Sequence, residues 1–151
     1  MSADLETMDS LGHLATRLEA LSSRGTAVER SGPAAELALV AAERQLDVCF
    51  PAPVRDFYRR INGFAIAAPA FRAFGVEELT MQAPGVLPFA VFDGAHIVAF
   101  RCDMLNVASQ WDLVVLDGGS IMTHSMASFY TNKIWAWLQR GRRVWAEGEA
   151  T

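Results

Sequence analysis

His96, Cys102, Asp93 and Asp103 lie close together in the chain and are the side-chain types of a Cys-His-Asp hydrolytic set, in which an imidazole takes the thiol proton and a carboxylate orients the ring. Their spacing speaks against it. On a single strand over residues 95–103, His96 and Cys102 share a face but stand about 20 Å apart at ~3.3 Å per residue, beyond hydrogen-bond reach. His96, His124, Asp93 and Asp117 carry metal-donor atoms that separate strands could bring together, yet their spacing matches no recurrent ligand motif. Asp93-Gly94 and Asp117-Gly118 also serve as hairpin turns, and the histidines as half-buried strand residues. The chain has no Gly-rich phosphate loop, HExxH or GxSxG. The expectation is a protein without catalytic residues, cofactor or metal.

The elements that would position these groups can be read from periodicity. Residues 4–22 place Leu5, Met8, Leu11, Ala15, Leu18 and Leu21 three or four apart, an amphipathic helix with His13 on its wet side. "SRGTAVERSG" breaks that pattern. Pro33 suits a first helical turn, and a second helix is expected from there to residue 45 with Leu37, Val40 and Ala41 inward. In "FPAPVRDFYRRINGF" two prolines forbid a helix continuing from upstream, and Val54, Phe57, Tyr58 and Ile61 form an apolar stripe. Asn62-Gly63 is expected to stop this helix in a left-handed conformation. Short apolar runs follow: "LPFAVFDGAHIVAFRCD" and "WDLVVLDGGSIMTH" each read as strand, turn, strand. Ser128 is a suitable N-cap for a last helix over 129–140, ended by Gly141, with Tyr130, Ile134, Trp137 and Leu138 buried. Helices first, a meander of strands next and a helix last predict an α+β domain, helices packed on a mostly antiparallel sheet.

A chain of 151 residues with 52% hydrophobic and 20% charged residues has the size and composition of one globular domain. No apolar stretch approaches the roughly 20 residues of a membrane helix. The start, "MSADLETMDS", is acidic and lacks an apolar signal core, so a cytoplasmic location is expected. Cys49 and Cys102 are too few for a disulfide framework and are expected to be small buried hydrophobes. A net charge of −4 disfavours nucleic-acid binding, which needs a basic footprint. The charge is also segregated along the chain. Arg55, Arg59, Arg60 and Arg72 face a single Asp56, whereas Glu77, Glu78, Asp93, Asp103, Asp112 and Asp117 face only Arg101 across residues 73–132.

The order of motifs resembles the SUKH superfamily, the Smi/Knr-like domains. "AAERQLDVCFPAPVRDFYRRING" is similar to that family's signature: a helix carrying a Glu (Glu43), an apolar bend and Pro step (Phe50-Pro51), a short helix with Phe57, then Asn62-Gly63. "FRAFGVEEL", "LPFAVFDGAHIVAF" and "ASFYTNKIWAWL" resemble, in order, the family's strand with its "eel" turn, its hairpin and its terminal helix. The resemblance covers residues 37–138, leaving the helix at 4–22 as an addition. It implies a non-enzymatic bacterial module that acts by binding protein, most often an immunity protein neutralising a cognate toxin, otherwise a regulatory or scaffolding protein.

Two features could serve such binding. Glu77, Glu78, Asp93, Asp112 and Asp117 of the strand region would steer a basic partner, as a nucleic-acid-targeting toxin would be, if the fold gathers them on one face. Trp135, far round its helix from the buried stripe at about 100° per residue, either anchors an interface or lies under the C-terminal "RRVWAEGEAT". Glu43 has a plainer use, pairing with a backbone N–H or an arginine of the Pro-bounded helix.

Overall fold

A computed structural model describes residues 3–147, with side chains over 11–146. Seven strands form one sheet in chain order, every neighbouring pair antiparallel: β1 Val28–Arg30, β2 Phe64–Ile66, β3 Phe71–Ala73, β4 Val86–Phe92, β5 His96–Arg101, β6 Asp112–Val115 and β7 Ile121–Thr123. Helices α1 (Ala3–Ser23), α2 (Glu36–Leu46) and α3 (Ala52–Arg60) belong to the N-terminal part. After β7 come α4 (Met126–Ser128), a π-helical turn (Phe129–Lys133), α5 (Ile134–Arg140) and α6 (Val144–Glu147). This is the α+β layering expected, with N-terminal and C-terminal helices on an antiparallel sheet. None of the described helices is long and apolar enough to cross a membrane.

The short helix α3 buries the stripe its sequence marks: Val54, Phe57, Tyr58 and Ile61 are all at most 3% exposed. Pro51 caps it, and the chain leaves the helix at Ile61 in an extended conformation, one residue before the expected Asn-Gly stop. Gly63 has a different task. At φ +90°, a Cβ there would lie 2.7 Å from the Gly75 nitrogen and 2.8 Å from the Ala73 oxygen, so only glycine lets β2 approach the end of β3. Asn62 ties the same corner together, donating from Nδ2 to Glu77 Oε1 and accepting the Val76 N–H at Oδ1.

Other elements depart from expectation. In α1 the buried residues are Leu11, Leu14 and Leu18, with Leu14 in place of Ala15; Leu5 and Met8 lie outside the described side chains. "TAVER" supplies edge strand β1. α2 starts at Glu36 and buries Leu39, Ala42 and Leu46, leaving Leu37 83% and Val40 39% exposed. The last helical stretch is capped by Ser125, whose hydroxyl accepts the Ser128 N–H at 3.1 Å, so Ser128 is inside the helix. Cys49 is exposed and Cys102 partly so, not buried.

The core is a chain of aromatic contacts between helices and one face of the sheet. Phe129 meets Phe71, Phe89 and Phe92; Phe100 meets Trp111, which meets Phe50; Phe57 stacks on Tyr130. A bulge after Pro88 turns both Phe89 and Ala90 inward.

Candidate interaction surface

The sheet registers divide the predicted acidic residues between two ends of the molecule. Asp93 and Asp117 sit in the β4–β5 and β6–β7 turns. Asp112, at the start of β6, lies about 17 Å from them along the six-residue β5, and Glu77 and Glu78 lie in the β3–β4 connection. No single acidic face gathers all five, and most have local work. Glu78 binds Arg72 and the Gly75 N–H; partial burial opposes its charge, but these two bonds win and its pKa lies below the ordinary carboxylate range. Glu77 accepts from Asn62. Asp93 has a left-handed φ of 55° and begins a tight turn with Gly94.

Trp135 is not an exposed anchor. It is 3% exposed, and its indole N–H donates to the Tyr130 carbonyl at 2.8 Å. The physical reason is the π turn before it, which takes in an extra residue and rotates everything downstream by roughly 100° from an uninterrupted α-helix. Its cover is α1, whose Arg17 lies 4.9 Å over the ring. The C-terminal segment covers something else: Trp145 stacks on His96 at 4.5 Å and meets Trp137 edge-on.

Both predicted strand histidines meet a carboxylate, although only His96 is a half-buried strand residue as expected; His124 lies just past β7 and is exposed. His96 Nδ1 lies 2.7 Å from Asp117 Oδ2, and His124 Nδ1 lies 2.7 Å from Asp112 Oδ1. Neither acquires the third member of a nucleophilic set. Cys102 instead points its sulfur at Met81 Sδ, 3.6 Å away, and burial pushes its thiol pKa up, away from the reactive thiolate. Among the described residues no three His, Cys, Asp or Glu side chains converge as a metal would need.

The His124–Asp112 pair instead serves the loop over residues 102–111. Asn106 donates to Asp112 Oδ1 and to the His124 carbonyl, and its own Oδ1 accepts the Ala108 and Gln110 N–H groups. Burial opposes the Asp112 charge, but the hydrogen bonds from His124 and Asn106 outweigh it and lower its pKa. The loop so pinned holds Met104, Leu105 and Val107 in water at 66%, 58% and 107% exposure. Sequence reasoning missed these residues, although three large apolar side chains in a four-residue span of a polar loop are the signal that finds them.

It also missed the outer face of the sheet. Registers put Val86, Pro88 and Val91 of β4, Ile97 and Ala99 of β5, Val114 of β6 and Ile121 of β7 on the side away from the helices. Ala99 and Val114 are 0% and 5% exposed, yet neither joins the cluster formed by the buried residues of α1, α2, α3 and α5. The other five are half-buried, and no described helix contributes to this layer. The signal was present here too: strands with one wet face alternate, whereas "LPFAVF", "HIVAF" and "LVV" are apolar at both phases. Charged residues frame the patch. Glu29, Arg72, Arg101 and Asp112 share the outer face, and Glu78 and Asp103 reach onto it through Arg72 and Arg101, giving four carboxylates against two guanidiniums. A cleft of about 180 Å³ lined by Glu29, Asn62, Ala65, Arg72 and Glu78 notches the β1–β3 margin.

No family model matches the chain, and no curated protein matches it.

Proposed function

We propose that this chain is a non-enzymatic protein-binding module that works through the outer face of its sheet, and that its role is the one implied by the SUKH resemblance: a bacterial immunity protein that neutralises a cognate toxin domain. The observation that carries the reading is an apolar layer of seven side chains on four adjacent strands with no helix over it. Apolar side chains left half-buried on a sheet face without a second layer are costly in water and favour a partner that completes their burial. The partner fits a stated chemistry: a flat apolar centre with a basic margin, because carboxylates outnumber guanidiniums around the patch. Glu78 and Asp112, two of the acids singled out in the sequence, belong to this margin; Asp93 and Asp117, at the far end, do not.

The test uses a partner identified by co-purification from the native host, then reconstituted with this chain from purified components. Ile97→Lys places a cation in the centre of the patch, and Leu37→Lys does the same on the exposed face of α2. Ile97→Lys is expected to weaken the complex by about a hundredfold or more, with Leu37→Lys near wild type. Loss through Leu37→Lys while a folded Ile97→Lys binds normally would reject the outer face as the docking surface.

A further inference from the structure

On the helical side, opposite the sheet face, a cleft of about 310 Å³ opens between α1 and the π turn, lined by His13, Leu14, Arg17, Tyr130, Thr131 and Trp135. Its floor is apolar: Leu14, Tyr130 and Trp135 are each at most 3% exposed. Its rim carries the Arg17 guanidinium and the His13 imidazole, and no carboxylate is among the described lining residues. Arg17 has no ion pair among the described residues; its guanidinium is held by the face of Trp135 alone, which fixes the charge at the mouth without neutralising it. Thr131 uses its one proton on the Ala127 carbonyl, at 2.7 Å, which leaves its oxygen only able to accept.

Tyr130 closes the floor of the cleft with its ring. It is 0% exposed, and its hydroxyl has no hydrogen-bond partner. A buried hydroxyl left unpaired costs about 1–3 kcal/mol. Burial, with the charge of Asp56 added, pushes its pKa up to about 12, so the hydroxyl keeps its proton. The backbone at the site is unusual as well, because π turns are poorer than α turns and recur at functional positions.

We propose that this cleft is a binding site for a small organic anion, a carboxylate or phosphate group carried on an apolar body. Arg17 and His13 meet the anionic head, and the apolar body lies on Leu14 and Trp135. The volume stands at the lower end of ligand pockets, which start at roughly 300 Å³.

The test is a titration of the ¹⁵N-labelled full chain with benzoate, phenyl phosphate and benzyl alcohol, read at the Trp135 indole N–H and the backbone amides of residues 13–17 and 130–135. Saturable shifts confined to those groups are expected for at least one anion, with Kd on the order of 1 mM, weakened about tenfold in Arg17→Gln and absent with benzyl alcohol. Which anion binds assigns the head group as carboxylate or phosphate. If Arg17→Gln unfolds, His13→Gln on the exposed rim makes the same comparison. No saturable shift with either anion, benzyl alcohol binding as well as they do, or a folded rim variant with wild-type affinity would overturn the site.

Discussion

Glu43 grips Arg55 at 2.5 Å through one carboxylate oxygen and takes the Phe50 N–H at 2.8 Å through the other. One side chain thereby fastens α2 to the bend before α3 and to α3 itself. Only 16% of the Glu43 side chain is exposed, against 20% for Arg55, so the pair is shielded better than a surface ion pair. Glu43→Ala is expected to cost about 2–3 kcal/mol in urea unfolding, since it leaves the part-buried Phe50 N–H unpaired and Arg55 with only its longer, more exposed contact to Glu36. Glu43→Gln keeps one acceptor and should cost about half as much.

Asp112 and Glu78, the partly buried members of the carboxylates held at low pKa, contribute to the acid limb of stability. Their pKa values are depressed in the folded protein by hydrogen bonds that outweigh burial, so their stabilisation is complete above the ordinary carboxylate pKa, about 4, and is lost as pH falls through the lower folded value. The melting temperature should therefore decline on acidification below about pH 4, and Asp112→Asn should flatten that decline. The same variant should speed hydrogen exchange at the Ala108 and Gln110 amides, because the Asn106 clamp loses a charged acceptor.

Gly63→Ala should destabilise by about 3 kcal/mol or more, or prevent folding. Both its left-handed φ and its 2.7 Å contact with backbone forbid a Cβ, and backbone cannot move aside as a side chain can.

Trp135→Ala should cost about 3–5 kcal/mol, the range for a large aromatic removed from a core. Val107→Ser, by contrast, should change stability by less than about 0.5 kcal/mol, since its side chain lies wholly in water. Deleting the exposed Asn132 should close the π turn into an α turn and swing Trp135 off α1, visible as a red-shifted, more accessible indole and a large loss of stability.

The parts of the fold legible in the sequence were those with strong contrast. Prolines and charges bracket the α3 stripe, and Asp-Gly pairs mark both long hairpins. α2 hid its inward face because "ELALVAAERQL" is apolar over most of its first seven positions, so a period of 3.6 fits more than one phase. Trp135 was misplaced because periodicity assumes a uniform helix, and the π turn breaks that uniformity. The expected acidic face failed for a topological reason. In a meander, successive connections emerge at alternate ends of the sheet, so carboxylates clustered in sequence are dealt to opposite ends in space.

The same meander orders the assembly of the molecule. From β2 to β7 each strand finds its partner within a short loop closure, at small entropic penalty, whereas β1 must wait for β2 across α2 and α3. α1 reaches further, for its contacts include the π turn more than a hundred residues downstream. Its contacts with β1 and α3 can form early, but its seat against the π turn stays open until the chain beyond β7 has emerged, so that side of the helical layer closes late in folding.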